Sequence, residues 1–300
     1  MEPEIEGLMA RFVSNQLSQH TRKAYRCDIQ AFLGRFTDRA LDEIAPEEIA
    51  GYRDELLERL QPSTVARKLT VVRQFLSFCV DVGVLEHNPA QMVRSPKVPQ
   101  YSTTNGLTRE QAESLLRQPD RSTVKGKRDY AILSLMLHNG LRNSEVTAIR
   151  WGDFREERGY MILNVHGKGG KEAVTKIKPV VMAAIKDYAQ ASGRELDEDS
   201  PLFIGQKTCA GIRWNTIGNP LSTEAVRFMV KRHGRMAGID KRISPHSLRH
   251  TCVTLCLDGG GTVRHAQNLA RHEDPKTTIR YDRNRNNLDD HGTDYVRLNV

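Results

Sequence analysis

A chain of 300 residues with 38% apolar residues is long enough for one large domain or two ordinary ones, each with a packed core. No run of ~18 apolar residues occurs, which excludes a membrane-spanning helix. The acidic start MEPEIEGLMARF lacks the basic-then-apolar order of a secretory signal. The formal net charge of +8 is unevenly spread: residues 1–100 hold 13 Lys+Arg against 14 Asp+Glu, and residues 101–300 hold 32 against 23. A basic C-terminal two-thirds fits a polyanionic partner, because contacts to phosphates release counterions. The five cysteines (Cys27, Cys79, Cys209, Cys252 and Cys256) are scattered and odd in number, as in a cytoplasmic protein with reduced thiols rather than a disulfide framework.

Residues 5–92 read as helices. In HTRKAYRCDIQAFLGRF, Ala24, Tyr25, Ile29, Phe32 and Leu33 recur at helical spacing. Pro46 with Glu47 and Glu48 opens a second helix running to Leu60. Pro62-Ser63-Thr64 opens a third, with Val65, Leu69, Val72, Phe75 and Phe78 inward and a stop near Asp81-Val82-Gly83. Arg22, Lys23 and Arg26 lie along the first of these helices, and Arg67, Lys68 and Arg73 along the third. Each set is an expected basic face. The stretch VRSPKVPQYSTTNG, with two prolines and a polar cluster, reads as a linker. The expected units are residues 1–93 (helical), 94–106 (linker) and 107–300.

In the last unit, LTREQAESLL is a helix opened by Thr108, with Glu110 and Gln111 close behind as in a capping box. GKRDYAILSLMLHNG is an apolar helix closed by Gly140. YMILNV and EAVTKI read as two strands around the hairpin HGKGGK. Helices are expected at 179–191, 222–236, 246–257 and 263–270, and Asp274-Pro275 is an N-cap and first-turn pair for one more. The fold class is mainly α with a small β-sheet or hairpin.

Six residues carry chemistry. Arg142 sits in NGLRNSEV and begins a helix, where backbone N–H groups favour an anion. Lys168 lies at the glycine-rich hairpin tip, with Lys171 as its rival; the spacing is not that of a P-loop. His246 and Arg249 in SPHSLRHTC are three apart on one helix face. His272 and Tyr281 follow in LARHEDPKTTIRYDR. Two arginines, two histidines, a lysine and a tyrosine suit chemistry on a phosphodiester. The arginines neutralise charge on phosphorus, lysine and histidine move protons, and tyrosine attacks. Cys252 and Cys256, at C-x3-C on one helix without a second knuckle, do not make a zinc site.

These motifs, in this order over nearly the whole chain, make the sequence resemble the tyrosine site-specific recombinases (phage integrase family). The resemblance implies a helical DNA core-binding domain followed by a mixed α+β catalytic domain. It implies Arg142, Lys168, His246, Arg249, His272 and Tyr281 as catalytic residues and Arg22, Lys23, Arg26, Arg67, Lys68, Arg73 as DNA contacts. It also implies a 3′-phosphotyrosine intermediate, strand exchange through a Holliday junction, a homotetramer on two sites in double-stranded DNA, and no cofactor, neither metal nor ATP. No added N-terminal arm-binding domain is expected, and residues 284–300 either dock on a neighbouring protomer or are a disordered tail. The sequence departs from the family at Ala270-Arg271, where Leu-Gly is usual before the histidine. The turn there must differ or be strained, or Arg271 adds a phosphate contact. Glu145 either orients Arg142 or pairs with Arg150. The alternative functions are type IB topoisomerase-like relaxation and a non-catalytic DNA-binding regulator.

Overall fold

The structure, a computed structural model, describes residues 3–37, 39–98, 106–167, 172–205 and 218–281. The chain forms two compact units, Met1–Gln100 and Tyr101–Val300.

In the first unit, α1 (Pro3–Ser14), α2 (Gln19–Leu33), α3 (Pro46–Leu57) and α4 (Pro62–Asp81) surround one core. Prolines open α3 and α4 in the first turn, where a missing N–H loses no helical bond. The Glu48 carboxylate accepts from the Ala45 N–H at 3.0 Å, one half of a capping box; the alanine has no side-chain oxygen to supply the other half. α4 buries Val65, Leu69, Val72 and Phe75 as its spacing predicts, and Leu76 and Cys79 with them. Phe78 is half-buried, its ring 5.7 Å from that of Phe12.

α2 departs from its expected pattern at one position. Ile29, Phe32 and Leu33 are buried and Tyr25 stacks on Phe12, but Ala24 is exposed. Asp28 is buried in addition, 3% exposed. Its carboxylate accepts from Arg67 and, at 2.7 Å, from Lys68, both on α4. Burial alone would raise the carboxyl. The hydrogen bonds and charges of Arg67 and Lys68 outweigh it and hold Asp28 below its ordinary value. Arg73 is also held internally, with Nη2 donating to the Val93 carbonyl at 2.6 Å and to Ser95 Oγ at 3.0 Å.

The expected basic face of α4 is therefore largely a set of ties within its own unit. On α2, by contrast, Arg22, Lys23 and Arg26 are exposed and, with Ala10, Val13 and Ser14 of α1, line an open recess of ≈ 390 Å³.

The second unit begins with α5 (Arg109–Leu116), where Thr108 Oγ1 accepts from Gln111 N and Gln111 Oε1 from Thr108 N, both at 3.2 Å, a complete capping box. α6 (Val124–Asn139) is buried nearly all round, with α8 (Pro179–Ala191) and α10 (Pro245–Asp258) packed against it. α7 (Asn143–Ala148), α9 (Thr223–Met236), α11 (Val263–Ala270) and α12 (Pro275–Ile279) complete the described α-helices.

The sheet has three antiparallel strands in the order β1 (Phe154–Glu157), β2 (Tyr160–His166) and β3 (Glu172–Lys176), with Leu163 paired to Phe154 on one side and Thr175 on the other. β2 and β3 are the expected pair, whereas β1 carries no alternating pattern and is an exposed edge. Arg158 and Gly159, both at positive φ, make the two-residue turn between β1 and β2. Asp129 of α6, fully buried, accepts from Arg128 (2.8 Å), Arg232 (2.9 Å) and, in a shared hydrogen bond, His233 (3.0 Å), fastening α9 to α6.

Asp28→Ala leaves Lys68 and half-exposed Arg67 without their shared carboxylate. It is expected to lower stability by about 1–3 kcal/mol, because the lost acceptor is buried while Arg67 can turn to water. Urea denaturation of the full chain measures this, and an unchanged midpoint would show the ties to be energetically idle.

Candidate active site

Gly140 ends α6 at φ 57°, and a Cβ there would lie 3.4 Å from Cys252 Sγ. The left-handed residue turns the chain directly into Leu141 and Arg142. Arg142 is the N-cap of α7, as its sequence position predicts. Glu145, 4% exposed, holds it twice: Oε2 accepts from Arg142 N at 2.7 Å and Oε1 from Arg142 Nη1 at 2.6 Å. Burial would raise the Glu145 carboxyl, but Arg271 and Arg142 hold it below its ordinary value. Arg150 pairs with Asp199 instead, so the Arg150 alternative for Glu145 is replaced by Arg271.

Ser244 and Pro245 start α10, and its i, i+3 spacing puts His246 and Arg249 on one face. Arg249 is 2% exposed. It donates from Nη1 to the Gly140 carbonyl at 2.6 Å and from Nη2 to the Ala270 carbonyl. Burial first, then the charges of Arg142 and Arg271, lower its guanidinium to about 10, which leaves it a cation at neutral pH. Desolvation, then Arg249 and Arg142, push His246 below its ordinary value.

α11 ends at Arg271, whose backbone is left-handed (φ 54°, ψ 46°). Of the expected alternatives this is the strained turn, with arginine in the conformation that glycine adopts most cheaply. The Arg271 side chain is only 8% exposed and turned inward, donating to Glu145 Oε2 at 2.8 Å. In this structure its charge is paired with Glu145.

Asp274 caps α12 by accepting from Lys276 N at 2.9 Å, and Pro275 fills the first turn. Thr278 then ties the segment back: its hydroxyl lies 2.9 Å from His272 Nδ1, and its carbonyl accepts from Tyr281 N at 2.9 Å.

Tyr281, 7% exposed, packs against two imidazoles, with ring centroids 4.6 Å from His250 and 5.8 Å from His272. Burial raises its phenol, and Arg249, Arg280 and Arg142 pull the other way. His272 is lowered to about 4, by burial and then by Arg249, Arg142, Arg271 and His246, so it is neutral at physiological pH. His250 is a satisfied core histidine, its Nδ1 3.2 Å from Thr254 Oγ1. The start of the unit's described chain lies on the same wall. Leu107 N donates to Thr251 Oγ1 at 2.7 Å, Lys241 donates to the Gly106 carbonyl, and a Cβ at Gly106 would lie 2.6 Å from His250 Nδ1.

Arg142, His246, Arg249, His272 and Tyr281 therefore share one electrostatic site, built from α7, α10 and the α11–α12 segment. Lys168 and its rival Lys171 lie outside the described residues, as do residues 284–300. The base of their hairpin is described: His166 pairs in register with Glu172, and its Nε2 lies 2.9 Å from Asp153 Oδ1. Burial pushes the Cys252 thiol up to about 12, which disfavours a thiolate ligand there. Among the described residues no three His, Cys, Asp or Glu side chains are grouped to hold a metal, and no helix is long and apolar enough to cross a membrane. Sequence reasoning missed the Glu145–Arg271 pair and the ring contact of His250 with Tyr281. The first left half a signal, since Glu145 stands at the capping-box position after Arg142; the second left none.

The phage integrase family model matches residues 105–287, and that of the phage integrase N-terminal SAM-like domain matches residues 11–83. The tyrosine recombinase XerC of Pelobacter propionicus is 31% identical over 94% of this chain and 91% of its own, and that of Thermodesulfovibrio yellowstonii is 31% identical over 88% and 85%. Among solved structures, a lambda integrase (75–356) dimer bound to a COC′ core site aligns with TM-score 0.73 at 17% identity, covering 94% of this chain and 95% of that one. XerH recombinase in a post-cleavage complex with its difH substrate aligns at 0.71 and 18%, covering 87% and 75%; both likenesses concern the fold. The chain belongs to the phage integrase family and is a tyrosine recombinase, an enzyme that cleaves and rejoins DNA.

The depressed value of His272 gives a pH dependence. The unfolded chain binds a proton near 6.5 that the folded chain binds only near 4. Stability from neutral His272 is complete above pH 6.5 and is lost as pH falls toward 4. Thermal melts should show the parent losing Tm more steeply than His272→Gln across that window, and parallel curves would contradict the assignment.

Proposed function

We propose that this chain performs site-specific recombination by cleaving one strand of a duplex with Tyr281, forming a 3′-phosphotyrosine, and rejoining it to a partner duplex through a Holliday junction. The observation that carries the reading is the position of Tyr281, against His272 and within the field of Arg249 and Arg142. A tyrosine near pH ~10 needs nearby positive charge and a proton acceptor to attack at neutral pH.

Arg142 and Arg249 neutralise the nonbridging oxygens of the phosphorane. Each is held by the protein before substrate arrives, Arg142 by Glu145 and Arg249 by two carbonyls, so little reorganisation is required during reaction. His246, exposed and lowered in basicity, hydrogen-bonds the phosphate or accepts the tyrosine proton. Neutral His272, anchored by Thr278, is an uncharged hydrogen-bonding partner at the phosphate. Lys168 protonates the departing 5′ oxygen. Attack forms the O–P bond to Tyr281 and breaks the bond to the 5′ oxygen. The phosphoester is conserved, so no ATP enters. The 5′ hydroxyl of the partner strand then attacks and releases Tyr281.

DNA binding by the first unit is assigned to the exposed Arg22, Lys23 and Arg26 around the α1–α2 recess. The assembly is a homotetramer on two sites of double-stranded DNA. Lambda integrase has been seen as a tetramer bound to a Holliday junction, on the same fold.

The test is covalent trapping: purified protein with labelled duplexes from both flanks of its own gene, without metal or ATP, then denaturation and mapping of any nucleotide-linked peptide. The adduct is expected on Tyr281. It should be absent in Tyr281→Phe, which still shifts DNA on a gel, and its rate should fall on the order of 10²–10³-fold in Arg249→Ala. An adduct that survives in Tyr281→Phe sinks the assignment. Joining of the cleaved strand to a second labelled duplex separates recombination from relaxation of a single one.

A further inference from the structure

A helix C-terminus that turns left-handed ordinarily places glycine at the turning residue, because a side chain there is strained by about 1–2 kcal/mol. α11 turns at Arg271 with φ 54°. Its guanidinium leaves the surface and reaches the far side of the site. Nη2 donates to Glu145 Oε2 at 2.8 Å and to the Gly140 carbonyl at 3.3 Å, while Nη1 donates to the Leu269 carbonyl at 2.9 Å and the Asn139 carbonyl at 3.2 Å. Among the described residues Nε is buried without a hydrogen-bond partner, so burying this group has a cost as well.

These contacts form a bridge. Glu145 holds Arg142 by its backbone N–H and by its guanidinium, and Arg271 holds Glu145. Arg249 meets the same two places from α10, bonding the Gly140 carbonyl and that of Ala270, the residue before Arg271. The cap of α11 thus connects the segment carrying His272 and Tyr281 to the helix start carrying Arg142.

We infer that Arg271 is a positioning residue that fixes Arg142, through Glu145, relative to the Tyr281 segment. This rests on the reading of Tyr281 as nucleophile and Arg142 as phosphate ligand. The carboxylate of Glu145 lies between two guanidiniums and can be satisfied by both only if the two chain segments keep one spacing. A lysine at 271 would retain the charge but not the fork that spans carboxylate and carbonyls together.

The test uses the full-length protein with Arg271→Gly, which removes the guanidinium while relieving the left-handed strain, alongside Arg271→Lys and Glu145→Gln. The first readout needs no DNA: the Glu145 carboxyl is titrated by carbon NMR in protein with labelled glutamate. It is expected to move up in Arg271→Gly and less in Arg271→Lys. The second readout is single-turnover cleavage of the duplex on which the parent forms its adduct, at saturating protein. The rate of the bound complex is expected to fall about 10-fold or more in Arg271→Gly, within the ~10²-fold that a 1 Å misplacement can cost, and to recover in part in Arg271→Lys. DNA affinity should stay within about twofold, since ground-state binding is not what is lost. In a Glu145→Gln background, Arg271→Gly should add little.

An unmoved Glu145 titration overturns the inference whatever the DNA result. So does a shifted titration with an unchanged bound-complex rate, and so does a loss confined to affinity, which would make Arg271 a phosphate contact after all. A parent protein that forms no adduct on any duplex overturns the nucleophile reading first and this inference with it. That failure is seen before any variant is measured.

Discussion

The site depends on a buried cation held by the ends of helices. An α-helix leaves its last carbonyls without partners, and those carbonyls carry the negative end of its dipole. Arg249 on α10 takes two such oxygens at once, from Gly140 beyond α6 and from Ala270 at the end of α11. A guanidinium removed from water is tolerable only with partners of this kind. The same two bonds set α10, the start of α7 and the α11–α12 segment in one arrangement. Moving any of them exposes a carbonyl or strips the cation, so rigidity and charge at the site have one source.

Around this centre the charges are graded rather than uniform. Arg249 is lowered to about 10 and remains a cation, whereas His272 is lowered to about 4 and is neutral. The arginines' field falls on both, but imidazole titrates close enough to neutrality for burial and repulsion to decide its state. The site therefore separates permanent positive charge from uncharged hydrogen-bonding capacity. In the first unit, Asp28 shows a related use of burial. One acidic group inside the helical bundle holds Arg67 and Lys68, while Arg22, Lys23 and Arg26 of α2 are exposed around the recess.

Much of this was legible in the sequence, for local reasons. Helix starts at Pro46, Pro62, Thr108 and Asp274 and the stop at Gly140 follow from caps and fixed dihedrals that depend on a few neighbouring residues. The order of Arg142, His246, Arg249, His272 and Tyr281 carried the family. What failed was non-local. Periodicity put Ala24 inward and was silent on Asp28, because the partners that make a buried aspartate acceptable sit on another helix. β1, reading Phe-Arg-Glu-Glu, is a strand only because β2 lies beside it. Arg271 stood out as a residue unsuited to its turn, but the inward direction of its side chain depends on Glu145, far away in the chain.

Gly106 adds a constraint of a different kind. A Cβ at Gly106 would lie 2.6 Å from Nδ1 of the His250 ring, and the same ring lies 4.6 Å, centroid to centroid, from that of Tyr281. The chain at Gly106 and the nucleophile thus share one neighbour, the His250 imidazole. A methyl group at residue 106 would push on His250, which is held by Thr254 and has little room to yield. The path of the incoming chain and the seat of Tyr281 both depend on where that one imidazole sits, and sequence variation at either is answerable to the other.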